Sequence, residues 1–356
     1  MSTDGSRYDL QVWMKSPEWE TKKRLDIIAK VDNGDYNDTE KKIYDTLLDD
    51  VTGYMLVKEI KPLLPIPEYF KVDEKEENKD VIGWSNNMFL IENPNQIGFN
   101  ACSLKNQNGL DYEQSVLVIS ALAKFHAAVY CFRKEKKVDL TMEYPAAVNK
   151  ALFVPKISNE AIVRLEVIFQ STSEHMKYSK MFIDAAKGKH QQFGTKLEQF
   201  GVLCHGNLLP ENILIKYTAE DLCKLSCSQV MFRNLSNCFY GSCVLDLLQI
   251  IFTVVNIGVR ENFLADLVCS VYYDSFAKSV VKFNTGIPLF TKKEFMKEFD
   301  FNIMYGFLLS LNLCSIIHQE ALDREKVTSA SYVRHKEFIL SVVRDIIQFK
   351  INVKTI

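Results

Sequence analysis

Apolar and polar positions change their period several times along the chain. Tyr8 to Met14 (YDLQVWM) and Leu25 to Val31 (LDIIAKV) alternate or run apolar, which predicts two strands. Ser16-Pro17 lies between them and suits the connection of a hairpin. From Thr39 to Val51 the period becomes helical, with Ile43, Leu47, Leu48 and Val51 on one face and Glu40 in the first turn. Strand patterns return at Glu68 to Lys71 and at Met88 to Glu92, after punctuation by Pro62, Pro65 and Pro67. Between those strands, Glu74 to Lys79 reads as a charged, solvated turn. The strongest helix is predicted over Asp111 to Phe132, with Asp111 as its N-cap and Val116, Ile119, Ala123 and Val129 recurring at helical spacing. Its His126, alone on an apolar face, is expected to be a core residue with its ring nitrogens satisfied.

Val138 to Gly201 predicts two or three helices without a chemical motif. Val202 to Cys204 is a short apolar strand, and Ile213 to Tyr217 and Cys227 to Arg233 are two more, separated by a polar break. Helices are then expected at Leu247 to Val259, Asn262 to Phe276, Lys292 to His318 and Tyr332 to Phe349. This order of strands, helix, strands, long helix, loop, paired strands and helices predicts an α+β chain with two lobes. The smaller lobe, residues 1–97, would hold an antiparallel sheet and the Glu40 helix, and residues 98–356 would form the helical lobe.

Composition narrows the class. A chain of 356 residues has ample material for a core. Its 47% hydrophobic and 25% charged residues are ordinary for a globular protein. A net charge of −2 gives no basic surface for nucleic acid. The nine cysteines are scattered and odd in number, which suits reduced thiols and a cytoplasmic setting. Cys223 and Cys227 have no second pair at zinc spacing. The N-terminal MSTDGSRYDL lacks the apolar core of a signal peptide. The longest mostly apolar run, Ile303 to Ile317, is short of the roughly 20 residues that a membrane span needs and reads as a buried helix.

The chemistry concentrates between Val202 and Gln249. His205-Gly206-Asn207 opens a loop after the short strand, Asn212 follows five positions later, and the paired strands end at Asn234. A strand, a loop and two strands in this layout match a kinase catalytic loop followed by a metal-binding strand end. The kinase pattern has an Asp, four residues, then Asn. Here Asn207 occupies the first position. Lys30, within a predicted strand, is either a snorkelling edge residue or a buried charge with a partner.

The chain resembles the ecdysteroid-kinase-like proteins of arthropods, relatives of choline kinases and aminoglycoside phosphotransferases that carry a CHK kinase-like domain. That family runs close to L-C-H-G-D-x-W-x-N-N-I-x-x-x-Y and then D-F-Q-x-x-R-Y-G-S-x-x-x-D-L. This chain has Leu203-Cys204-His205-Gly206-Asn207, Glu211-Asn212-Ile213, Tyr240-Gly241-Ser242 and Asp246-Leu247. Leu122 to Ala128 resembles the family's L-A-x-F-H-A. Counting back from Tyr240 sets Asn234-Leu235-Ser236 at D-F-Q, so both catalytic acids are Asn.

The resemblance implies a two-lobed kinase-like fold and assigns roles to single residues. Lys30 and Glu40 would form the pair that holds ATP phosphates, and Glu92 and Asn93 the hinge whose main chain meets the adenine. Asn207 stands at the base position beside His205, and Asp246 would accept bonds from the loop backbone near His205. Asn212 and Asn234 would be weak magnesium ligands, with Glu211 as a surrogate acid. About thirty residues precede Lys30, so the phosphate-covering loop is expected to be reduced to Gly5-Ser6. An amide can orient a hydroxyl but is not a useful base. Magnesium favours carboxylate and phosphate oxygen. The expected protein is therefore an impaired kinase that still binds ATP or a small molecule with little help from magnesium. An active O-kinase of a small hydroxylated molecule such as an ecdysteroid, and a ligand-free interaction scaffold, are the two alternatives.

Overall fold

A computed structural model describes residues 7–14, 23–31, 40–57, 64–70, 88–102, 109–148, 151–189, 192–221, 224–284, 286–317 and 330–353. Gly5-Ser6, Ser16-Pro17, the Glu74 to Lys79 turn and Cys223 lie outside these residues.

Strands β1 (Arg7–Met14) and β2 (Lys23–Val31) pair antiparallel, with Arg7 opposite Lys30 and Met14 opposite Lys23. Helix α1 spans residues 40–57, passing through a π-helical turn at Tyr44–Leu48 before a regular stretch at Asp49–Val57. Its Ile43, Leu47, Leu48 and Val51 are buried with Ile28 and Ile91, so the apolar stripe faces the sheet. Strands β3 (Tyr69–Phe70) and β4 (Met88–Glu92) complete a four-stranded antiparallel sheet in the order β1-β2-β4-β3. Lys30 therefore lies on a central strand, not an edge, which settles the choice left open by its pattern.

After Gly98 the chain enters a second set of sheets. Strand β5 (Phe99–Ala101) pairs with β7 (Ile213–Asp221), and β7 pairs with β8 (Lys224–Phe232). These two strands run on through residues expected to form a polar break. The register shifts between Lys216 and Tyr217 and again between Ala219 and Asp221, and the pairing continues to Asp221 opposite Lys224. Strand β6 (Gly201–Cys204) pairs with β9 (Phe239–Ser242).

Helix α2 (Tyr112–Lys136) starts with a reciprocal cap, in which Asp111 accepts from the Gln114 N–H and Gln114 accepts from the Asp111 N–H. It runs one turn beyond the expected end. Helices α3 (Asn159–Gln170) and α4 (Ser179–Ala186) follow, then α5 (Val244–Thr253). The predicted helix to Val259 breaks at Val254. There Leu110 donates to Val254 O at 2.8 Å and accepts from Asn256 N at 2.9 Å, so those main-chain groups pair across instead of along the helix. Gly109, at φ +96°, permits that approach, since a Cβ there would meet Val254 O at 2.6 Å.

Helix α6 continues from Ile257–Asp266 through a π-helical segment, Leu267–Tyr273, into Asp274–Phe283. Helices α7 (Lys292–Ile317) and α8 (Ala330–Val353) close the lobe. Among the described residues α2 and α7 are long and apolar enough to cross a membrane, but 78% and 61% of their most apolar windows are buried inside the fold. The whole is a two-lobed, kinase-like α+β fold, as expected.

Candidate functional site

Lys30 and Glu40 meet across the small lobe. Lys30 Nζ lies 2.5 Å from Glu40 Oε2, with the Glu40 side chain 2% exposed. The other carboxylate oxygen, Oε1, accepts from the Leu235 N–H at 3.1 Å. One buried carboxylate thus links β2, α1 and the residue after Asn234, joining the two lobes at the cleft. Neutralisation by Lys30 and a main-chain donor is what makes its burial tolerable.

The loop from His205 to Asn212 hangs on α5. Asp246, 1% exposed in the first turn of α5, accepts from His205 N at 2.6 Å and from Gly206 N at 3.0 Å. Gln249, one turn on, accepts from Leu208 N at 2.9 Å. Gly206 has φ +74°, and a Cβ there would meet Asn237 O at 2.3 Å, so only glycine fits this turn.

Asp246 is itself held by His126, whose Nε2 lies 3.1 Å from Asp246 Oδ2 while Nδ1 lies 2.7 Å from Tyr272 Oη. Burial works against the Asp246 charge. The His126 bond, the nearby His126 and His205 and the Gly206 N–H together outweigh it, and the carboxyl stays below its ordinary pKa. His126 is buried and satisfied as its pattern predicted, but its partner is the residue that carries the loop. Sequence reasoning missed this link, and missed Gln249 and Tyr272. The spacing of Asp246 and Gln249 on one helical face was the available signal.

His205 is fully buried. Its Nε2 lies 3.0 Å from Arg233 O, and its Nδ1 accepts from Asn207 N at 3.3 Å. A ring that donates from Nε2 and accepts at Nδ1 is neutral, and burial holds its pKa below the usual histidine value. Asn212 Nδ2 donates to Asn207 O at 2.8 Å, and Asn212 O accepts from Arg233 N at 3.1 Å. Arg233 Nε donates to Glu211 O at 2.8 Å. Asn234 takes a left-handed conformation, φ 67° and ψ 65°, which asparagine tolerates better than most residues, and its Oδ1 accepts from Ser236 Oγ at 2.9 Å. These bonds bring Asn207, Asn212 and Asn234 into one constellation, next to Leu235 on the Glu40 carboxylate.

Glu211 is exposed, and its main chain makes the contact with Arg233. Glu92 and Asn93 end β4. The Glu92 N–H is spent on Glu68 O at 2.8 Å, and Asn93 O accepts from Gln96 N at 3.1 Å. Burial, with Glu68 nearby, raises the Glu92 pKa.

The donor set decides what the cleft can hold. A nucleotide phosphate would find the Lys30 ammonium, set by Glu40 on a central strand. Magnesium fits poorly, because Asn212 and Asn234 offer neutral oxygens and one of those already accepts from Ser236.

Residues 1–285 match the ecdysteroid kinase-like family. The chain belongs to this family. No curated protein sequence matches the chain. Among solved structures, the chain is similar to an ethanolamine kinase of Plasmodium vivax, at 10% identity over 90% of this chain and 76% of that one, with a TM-score of 0.33. An aminoglycoside phosphotransferase of Alicyclobacillus acidocaldarius has 12% identity over 99% of this chain and 95% of the other, with a TM-score of 0.42. Choline kinase LicA of Streptococcus pneumoniae has 11% identity over 95% and 93%, with a TM-score of 0.34.

Proposed function

We propose that this ecdysteroid kinase-like chain is a catalytically impaired kinase whose cleft binds a nucleotide weakly and without dependence on magnesium. The observation that carries the reading is the pairing of an ordered loop with neutral groups. Asn207 stands where a base would take the acceptor's proton, and a carboxamide cannot take it. Loss of a general base commonly costs about 10²–10⁴-fold in rate. Asn234 removes a second charge from the position that would hold a metal between phosphates. Calorimetry with ATP, with and without magnesium, tests the reading. Weak binding of similar strength in both is expected. Tight binding that requires magnesium would overturn it and point to Glu211 or another acid.

The Lys30–Glu40–Leu235 bridge favours a second reading, an active kinase of a small hydroxylated molecule such as an ecdysteroid. In that case the unmodified chain would phosphorylate its acceptor with ATP, and Lys30→Ala would abolish the reaction.

A further inference from the structure

Two cations crowd together at the end of α2 without an acid between them. Arg133 Nη2 and Lys134 Nζ donate to the same acceptor, the Glu198 carbonyl oxygen, at 2.9 and 2.8 Å. The Arg133 Nε is buried and has no hydrogen-bond partner. Neither residue makes an ion pair among the described residues. Asp139 caps its own helix through Thr141 and acts on Arg133 through space, and Glu198 acts on Lys134 in the same way, neither forming an ion pair with them. Burial and the neighbouring Arg133 hold the Lys134 pKa below its ordinary value. One carbonyl dipole and the faces of the Tyr130 and Tyr240 rings leave two adjacent positive charges without an ion-pair partner, and a bound anion would relieve both the repulsion and the orphaned Nε.

An apolar wall stands beside this pair. The Arg133 guanidinium lies 5.8 Å from the centre of the Tyr240 ring, and Tyr240 lines a cavity of about 440 Å³ together with Leu152, Val154, Phe193, Thr195 and Leu197. That volume is within the range of small-molecule sites. Tyr240 Oη donates to Leu197 O at 3.1 Å, which turns the ring toward Gly201, the end of β6 opposite His205. The cavity is therefore separate from the Asn207 loop. We propose that this corner is a second ligand site, taking a small molecule with an apolar body and a tetrahedral oxyanion head, either an organosulfate or a phosphate monoester. Arg133 and Lys134 hold the head, and the Tyr240 cavity takes the body.

Calorimetry on the full chain with 2-naphthyl sulfate, 2-naphthol and inorganic sulfate tests this. The sulfate ester is expected to bind at least tenfold more tightly than either fragment, and ATP is expected not to displace it. Arg133→Gln with Lys134→Gln should weaken the ester at least tenfold. Arg133 also packs on Tyr130 and Tyr240, so Lys134→Gln alone serves where the double variant does not fold. That single change should weaken the ester at least threefold with an unchanged melting temperature. Equal binding of ester and 2-naphthol, unchanged affinity in the Lys134 variant, or displacement by ATP would each overturn the proposal. Inorganic sulfate binding as tightly as the ester would remove the cavity from the site.

Discussion

Two parts of one cleft are built to different standards. The supports are charged, buried and fully bonded: Glu40 joins Lys30 to Leu235, and Asp246 joins His126 to the His205 and Gly206 main chain. The positions that would do chemistry are neutral: Asn207, Asn212 and Asn234. A buried carboxylate is expensive to keep without partners, so each support is tied to a specific set of donors. On the proposed reading, Asn207 and Asn234 differ from the acids of the family pattern in charge with almost no change in shape. On that reading, the contrast teaches that the geometry of such a loop and its chemistry are separable. The first is held from below by α5 and α2, with the Asn212 and Asn234 side chains adding bonds within the loop, and the second would rest on the charge at two positions.

The sharpest test restores the missing acids. Asn207→Asp with Asn234→Asp should raise ATP-dependent phosphorylation of hydroxylated small molecules by about 10²–10⁴-fold over the unmodified chain, measured as product formed. The two groups serve one transition state, so either change alone should recover far less than half of the logarithmic gain. No gain from the pair would mean that the supports alone do not make a competent cleft.

Next in size is the loss of a support. Asp246→Ala leaves two main-chain N–H groups and His126 without their acceptor, and should cost about 3–5 kcal/mol in chemical denaturation. Asn234→Ala, by contrast, removes one part-buried bond to Ser236 and sets alanine in a left-handed conformation, and should cost about 1–2 kcal/mol. Similar costs for the two would erase the distinction between support and working position.

The supports were only partly legible in the sequence. Lys30 and Glu40 were paired through the family resemblance, because pattern alone left Lys30 between an edge residue and a partnered charge, and Glu40 is one of several charges in its helix. Asp246 could be placed at a helix start from its neighbours alone. The partner of His126 could not be read, because it lies 120 residues away and the join is made by packing of α2 on α5. Tyr272 was hidden for another reason: it sits in a π-helical segment, where the 3.6-residue period no longer tells which side chains face inward. The break at Val254 was missed because an apolar run hides main-chain pairing with Leu110. The three asparagines were found by spacing, since a loop between two short strands leaves little freedom in where they meet.

A smaller effect separates the two arms of the cleft on the ligand side. Lys30→Met should weaken ATP binding about tenfold, as expected for one charged contact, with or without magnesium. Asn212→Ala should change it much less. If Asn212→Ala proved the more damaging, and only in magnesium, the neutral positions would be holding a metal after all.

The smallest effect is one of pH and concerns His205. Its pKa is lowered in the folded chain by burial, against the pull of Asp246, the Arg233 carbonyl and Glu40. A folded value below the unfolded one, near 6.5, means that the unfolded chain binds more protons on the acid side. Stability from this group is therefore full above about pH 6.5 and declines as the pH falls toward the lowered folded value. The Asp246 contribution, with its pKa lowered from an unfolded value near 3.9, is full above that pH and declines only in the more acidic range below it. Melting temperature should fall between pH 7.5 and 5.5, by a few degrees at most from this residue. His205→Gln keeps a donor for the Arg233 carbonyl but does not titrate, so it should flatten that part of the profile even if it lowers the whole curve. A profile that keeps its slope in His205→Gln would remove this titration from the loop.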